Sequence, residues 1–180
     1  MEAILKNDIN EFSTRESYLR AIYNFEKKMN SNSIYQNVEI VDLSSELSEP
    51  NSVDAVLTFR NLHNWLGPMM DNIFANSYEA LKPGGIFGVV EHRAKPGTSL
   101  QEMKRTGYVT EQYAVEEAEK HGFILFAKSE INANSKDTKD YSKGVWTLPP
   151  TLRLKEKNKE DYLAIGASDR MTLLFKKPSK

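Results

Sequence analysis

The chain contains no cysteine among its 180 residues. This absence excludes disulfide bonds, zinc sites built from thiolates, and cysteine nucleophiles. The chain also lacks an apolar run of the roughly 20 residues that a membrane-spanning helix requires. Its first residues show no basic region followed by an apolar one, as a signal peptide would. The sequence therefore predicts no membrane segment and, by default, a cytoplasmic location.

An excess of charge of one sign is missing as well. The net charge is −1, so no overall basic field favours nucleic acid or an anionic membrane as a partner. Hydrophobic residues make up 39% and charged residues 27% of the chain, which is ordinary for a globular protein. This length and composition predict a single α/β domain over residues 1–180, with one core.

The centre of the chain shows a strand, a helix and a second strand. Residues 53–59 form a short apolar run, typical of a strand buried on both faces. Apolar positions three or four residues apart between Met70 and Leu81 predict a helix with one buried face. Lys82-Pro83-Gly84-Gly85 ends that helix, and residues 86–90 form a second apolar run. Together they predict a right-handed βαβ unit.

Weaker patterns define the other elements. A capping box at residues 13–16 precedes one apolar helix face, made of Tyr18, Ile22, Phe25 and Met29. Thr110 begins a helix that continues to about Lys120. Further strands are predicted at residues 3–5, 38–43, 123–128 and 170–177. Residues 94–107 and 132–143 are predicted to be loops, and the charge run at 155–161 a solvated face or loop.

Polar side chains follow both central strands. His63 comes shortly after the first and His92 directly after the second, with Arg60, Asn61 and other polar groups beside them. Ligands of open α/β sheets bind at the carboxyl ends of strands, so these side chains are expected to converge. The histidines could transfer a proton, bind substrate, hold a metal or make structural hydrogen bonds. Side-chain alternation aims Glu91 away from His92, so no metal site is predicted.

Several strings of this sequence resemble a known superfamily. They are Leu57-Thr58-Phe59-Arg60-Asn61-Leu62-His63-Asn64-Trp65, Leu81-Lys82-Pro83-Gly84-Gly85, Gly88-Val89-Val90-Glu91-His92-Arg93-Ala94, Gly144-Val145-Trp146-Thr147-Leu148-Pro149-Pro150 and Ser168-Asp169-Arg170-Met171-Thr172-Leu173. Over residues 13–178 the chain resembles class I S-adenosylmethionine-dependent methyltransferases, in particular a bacterial group whose substrate is unsettled. The resemblance implies a Rossmann-like sheet, mostly parallel, with an antiparallel last strand.

The resemblance also implies roles for individual residues. His63, His92 and Arg60 are expected to be catalytic. Asp8, Asp42 and Asn61 are expected to bind the cofactor. The alternatives are that Asp8 is a solvated residue of the amino terminus and that Asp42 starts a turn. The substrate-binding residues are expected to be Asn64, Trp65, Arg93, Asn132, Asn134 and Trp146, and the alternative for the segment around Asn132 is a solvated insertion.

The superfamily opens with a strand and a Gly-x-Gly-x-Gly loop against the cofactor, and this sequence contains no such loop. The chain therefore resembles the later portion of the fold, without the first strand, and weak S-adenosylmethionine binding is expected for this chain alone. The strand at 53–59 would then have an exposed edge, which predicts a homodimer or a partner chain. The implied function is a methyltransferase-like protein for a small molecule; the alternative is a non-catalytic binding or regulatory module.

Overall fold

The computed structural model describes residues 15–43 and 45–179, with side chains from residue 19 onward. The predicted strand at 3–5, the capping residues Ser13 and Thr14, and Asp8 lie outside the described residues. Contacts divide the chain into two units, residues 1–47 and 48–180, and each is described by itself. The single domain over 1–180 stays a prediction.

The first unit contains the helix that the capping box predicts. This helix, α1, spans Arg15–Asn30. Ile22, Phe25 and Met29 are its less exposed side chains, on one face as their spacing predicts. A single 3₁₀ turn follows at Ser33–Tyr35.

The strand predicted at residues 38–43 is wrong. Residues 38–42 have no regular structure, and Val38 is 51% and Ile40 44% exposed. A strand needs a neighbour for its backbone N–H and C=O groups, and no described residue pairs with this segment. Asp42 therefore does not stand at the end of a strand, as its expected cofactor role required.

The second unit is built on a sheet of four described strands in the order β1-β2-β4-β3. They span Val53–Phe59 (β1), Leu81–His92 (β2), Ile124–Ser129 (β3) and Arg170–Lys176 (β4). β1 and β2 are parallel, and β4 runs antiparallel to both β2 and β3. Three strands thus point the same way and the last is reversed, which confirms the predicted sheet in this part of the chain.

Two helices connect β1 to β2. The short α2 spans Leu62–Trp65, and α3 spans Pro68–Ala80. Residues 82–85 leave the strand ladder, because Val53 pairs with Leu81 but Ala55 already pairs with Ile86. A Cβ on Gly85 would lie 2.9 Å from the carbonyl oxygen of Lys82. The predicted glycine turn is therefore an irregularity near the start of β2, after its first residue Leu81.

Helices also occur where the sequence predicted loops. α4 spans Leu100–Thr106, inside the segment predicted to be a loop, and α6 spans Lys159–Ile165 at the end of the charge run. Ser99 caps α4, and Gly107, with φ of 72°, ends it. With only seven residues and two buried side chains, α4 is too short to show a period. The predicted helix after Thr110 is confirmed as α5, Glu111–Lys120.

The core covers one face of the sheet. Phe87 of β2 packs edge-on against Phe74 of α3, with ring centroids 5.0 Å apart, and contacts Phe123 at 5.3 Å. On the opposite face Leu57 and Phe59 are 59% and 58% exposed. β1 is an edge strand within this unit, and only Thr58 of its residues is buried. The prediction that β1 is buried on both faces is therefore wrong, while its exposed edge agrees with the pairing seen among the described strands.

Candidate functional site

The residues that follow β1 and β2 meet at one rim of the sheet. Phe59 pairs with Val90, and the backbone N–H of Arg60 donates to the carbonyl of Val90 at 2.7 Å. Arg60 has φ of 58°, so the chain turns sharply out of β1 into α2. This turn brings the ring of His63 to 5.4 Å from that of His92, centroid to centroid. The predicted convergence of the two histidines is confirmed.

A buried carboxylate lies beneath them. Glu91 is 0% exposed and accepts three hydrogen bonds. They come from the backbone N–H of His63 at 3.2 Å, from Nδ1 of His63 at 3.1 Å and from the backbone N–H of His92 at 2.6 Å. A carboxylate only accepts, so Nδ1 of His63 carries a proton, and in the neutral form of the ring Nε2 has the lone pair. The His63 side chain is 8% exposed, which keeps this pair away from bulk water.

His92 has different surroundings. Its Nδ1 lies 2.6 Å from Oγ of Ser168. Burial lowers the pKa of His92 from 6.5 to about 4; the Glu91 carboxylate opposes this, and His63, Arg60 and Arg170 reinforce it. His92 is therefore uncharged at neutral pH, and its imidazole can donate or accept one hydrogen bond toward a ligand.

A cavity of about 330 Å³ opens at this rim. Residues 59–61, His63, His92, residues 145, 146 and 149–151 and residues 167, 168 and 170 line it. Trp146 stands edge-on to His63, with centroids 6.0 Å apart, and the guanidinium of Arg153 lies 4.9 Å over its ring. The size suits a small molecule, since ligand pockets occupy roughly 300–1,000 Å³.

Five predicted site residues line this cavity: Arg60, Asn61, His63, His92 and Trp146. The others that the structure describes in this unit do not. They are Asn64, Trp65, Arg93, Asn132 and Asn134. Trp65 is 4% exposed. Nδ2 of Asn132 donates to Oγ1 of Thr172 at 2.9 Å, and Nδ2 of Asn134 donates to the carbonyls of Ile165 and Ala167. Their substrate-binding roles stay predictions.

A buried polar network holds the wall that carries Ser168. Asp137 accepts the hydroxyl of Tyr108 at 3.0 Å and the backbone N–H of Asp169 at 2.7 Å. Asp169 in turn accepts from Arg93 at 2.9 Å and pairs with Lys139 at 2.7 Å. These contacts fix the 132–141 segment against residues 167–169. Arg93 and the insertion thus position the cavity wall rather than face the cavity.

Three residues of the site were not predicted as site residues, namely Ser168, Arg170 and Glu91, and of these Glu91 was considered only as a metal ligand. Alternation does put Glu91 on the buried face of β2, as expected. Its side chain nevertheless accepts hydrogen bonds from the backbone of His92 and from both the backbone and the ring of His63, because α2 folds back over that face. An acidic residue directly after Val89-Val90 was the available signal. Ser168 and Arg170 come from the far end of the chain, and no local pattern places them here.

The cluster could also be considered as a metal site. Ligand atoms of His63, Glu91 and His92 lie within 4.8 Å of one another. Both Glu91 oxygens already accept hydrogen bonds, and Nδ1 of His63 is committed to one of them. A cation would have to displace these donors, so we do not assign a metal to the cluster.

No protein-family model and no curated protein matches this chain. Solved structures do. The [4+2]-cyclase SpnF aligns with a TM-score of 0.56 and 18% identity, and the alignment covers 89% of this chain and 63% of the SpnF chain. A Galdieria sulphuraria protein assigned as a sarcosine dimethylglycine methyltransferase gives 0.54 and 15%, covering 92% and 66%. A SAM-dependent methyltransferase from Methanosarcina mazei gives 0.53 and 15%, covering 99% and 86%.

These likenesses define the fold. The second unit carries the mixed, Rossmann-like sheet of class I S-adenosylmethionine-dependent methyltransferases, as the sequence resemblance implied. The chain spans less than two thirds of the length of the cyclase and of the Galdieria protein. Because one similar structure is a cyclase, the fold does not specify the reaction, which has to be argued from the site. No helix within the described residues is long and apolar enough to cross a bilayer.

Proposed function

We propose that this chain is a methyltransferase-like enzyme acting on a small molecule, with His63 as the group that takes a proton from the substrate. The observation that carries the proposal is the His63–Glu91 pair at the cavity. Glu91 fixes the proton on Nδ1, which leaves Nε2 as a base, and its charge stabilises the imidazolium that forms. Neutral His92 and Arg60, which line the same cavity, would orient the substrate.

The residues in hand do not fit tight S-adenosylmethionine binding by this chain alone. The sequence has no Gly-x-Gly-x-Gly loop, and Asp42 does not stand at a strand end. Among the expected cofactor residues Asn61 lines the cavity, and Asp8 lies outside the described residues. We therefore derive no step through the cofactor. In this proposal a second copy or a partner chain supplies the remaining contacts, along the edge of β1 that no described strand pairs with.

The test is methyl transfer from isotope-labelled S-adenosylmethionine into a small-molecule extract, followed by mass spectrometry. Wild-type protein is compared with His63→Gln and with His121→Gln, a control histidine that pairs with Asp71 and does not line the cavity. General-base catalysis is worth about 10²–10⁴-fold, so His63→Gln should lose at least about a hundredfold of the activity. Equal activity of wild type and His63→Gln would refute the proposed role.

The partner is tested separately by light scattering at micromolar concentration. A dimer is expected. Replacing Leu57, on the exposed face of β1, by Lys tests whether that face contributes to the dimer contact. A monomeric wild type would remove the second copy as the source of the missing contacts and leave a separate chain as the candidate. The cytoplasmic location also stays a prediction.

A second candidate is a non-catalytic binding or regulatory module on the same fold. The missing glycine loop favours it, because a binding cavity needs no methyl donor. Titration calorimetry with S-adenosylmethionine and with its demethylated product discriminates the two functions. The module is favoured if neither S-adenosylmethionine nor its demethylated product binds, alone or with the partner, while a small-molecule ligand still binds to wild type and His63→Gln alike.

A further inference from the structure

Two arginines line the cavity without partners of their own. The guanidinium groups of Arg60 and Arg170 make no hydrogen bond or ion pair to any residue that the structure describes, although both lie at the rim beside His92. Arg93, by contrast, bonds to Asp169 and Glu130, and Arg105 pairs with Glu102. Arg20 and Arg153 also lack a hydrogen bond or ion pair to a described residue, but neither lines the cavity.

The cavity offers no carboxylate to balance them. Its lining residues are aromatic, proline, small or neutral polar apart from the two arginines and the two histidines. Glu91 lies below the rim, where its oxygens are used by His63 and His92. The lining thus carries two fixed positive charges and no negative one.

Arg170 adds an independent sign of a missing partner. Its Nε is buried and has no hydrogen-bond acceptor among the described residues. An unsatisfied buried donor is costly and calls for an explanation, of which a bound ion is one. Arg170 begins β4, so the sheet holds this donor rigidly at the rim. A guanidinium fork of this kind matches the geometry of a carboxylate or phosphate.

We propose that the substrate is a small anion, whose carboxylate or phosphate is held by Arg60 and Arg170 while a planar apolar part packs against Trp146 and Phe59. This inference rests on the proposed function for the direction of the reactive group, which must face Nε2 of His63. The anion-binding step itself requires only the cavity. The volume of about 330 Å³ limits the ligand to a small molecule.

Binding of four probes to the full chain tests the charge requirement. Benzoate and phenyl phosphate carry the anion on a planar ring, benzamide is the neutral counterpart of benzoate, and benzylamine is the cation. Titrations followed by the imidazole NMR signals of His63 and His92 should show saturable shifts with the two anions only. Arg60→Gln and Arg170→Gln should each weaken binding by about tenfold or more, as expected for the loss of one charge-assisted hydrogen bond.

Lys176→Gln is the matched control, because it removes one positive charge from the same strand as Arg170 at a residue outside the cavity lining. It should bind the anions like wild type. Circular dichroism confirms that each variant is folded. The inference is overturned if benzamide binds as well as benzoate, if Lys176→Gln weakens binding as much as the arginine variants, or if neither anion binds at tens of millimolar.

A further titration separates two sources of the anion. If the arginine variants weaken S-adenosylhomocysteine but leave benzoate and phenyl phosphate unchanged, the arginines serve the cofactor's carboxylate and the inference is wrong. The outcome is also separable from that of the proposed function. Arginine-dependent anion binding without any methyl transfer would support anion binding and contradict the proposed enzyme function. Methyl transfer to a neutral substrate would support the enzyme function and contradict the anionic substrate.

Discussion

Replacing Glu91 tests the structural basis of the site. In Glu91→Ala three donors lose their acceptor: the backbone N–H groups of His63 and His92 and Nδ1 of His63. Because Glu91 is completely buried, little water can reach these donors. Each unsatisfied buried donor costs roughly 1–3 kcal/mol, and part of that cost is relieved by relaxation. We expect a loss of about 3–5 kcal/mol in the free energy of unfolding, a large part of the stability of an ordinary domain.

Glu91→Gln separates charge from hydrogen bonding. A glutamine keeps one oxygen, which can still accept from His92 and from Nδ1 of His63. Its amide group would then face the backbone N–H of His63, so two donors oppose each other. This conflict should cost roughly 1–3 kcal/mol, less than the alanine variant.

The assay is unfolding by urea and by heat, followed by circular dichroism. At about 2–4 °C per kcal/mol, Glu91→Ala should lower the melting temperature by roughly 6–20 °C. Glu119→Ala, which truncates an exposed acid on α5, is the control and should stay within about 0.5 kcal/mol of wild type. If Glu91→Ala were no less stable than Glu119→Ala, the hydrogen bonds to Glu91 would not hold the rim together.

Three other predictions concern protonation and the wall of the cavity. The pKa of His92 is lowered by burial to about 4, so an NMR titration should find this imidazole neutral at pH 6. In the unfolded chain His92 takes up a proton near pH 6.5. The stability that neutral His92 contributes is therefore complete above pH 6.5 and declines as the pH falls toward 4. Burial raises the pKa of the Asp169 carboxyl, but the hydrogen bonds from Arg93 and Lys139 outweigh it and hold this pKa well below its usual range. Wild type should therefore lose more stability to urea than Asp169→Asn as the pH falls below about 4. An equal loss of stability in the two proteins would contradict this. Tyr108→Phe removes the hydroxyl that donates to Asp137 and should cost about 1–2 kcal/mol in urea unfolding, with Tyr35→Phe, an exchange outside this network, as the control.

The sheet could be predicted because its signals are local. The apolar runs of β1 and β2, the helix period between them and the glycine loop at residues 82–85 each lie within a short window. The rim followed from the rule that neighbouring parallel strands end together, which is why the meeting of His63 and His92 could be anticipated. These elements could be predicted because each has a hydrophobic pattern within its own stretch of sequence.

The rest depends on tertiary contacts. The apolar alternation at residues 38–41 favours a strand, but a strand also needs a partner, and no described residue pairs with that segment. α4 is held by the Ser99 cap and by two buried side chains, too few for a pattern. Ser168 and Arg170 reach the rim only because β4 returns antiparallel beside β2. Glu91 was set aside because alternation describes the direction of Cβ but not the reach of a long side chain.

The most direct test of the account is the protonation state of His63 in the folded protein. Nitrogen-15 NMR of histidine-labelled protein at neutral pH resolves which ring nitrogen carries the proton. The account predicts the proton on Nδ1, bound to Glu91, and a bare Nε2 whose signal moves when a ligand enters the cavity. A proton on Nε2 instead, or an Nε2 signal indifferent to every ligand that binds, would contradict the assignment of His63 as the base.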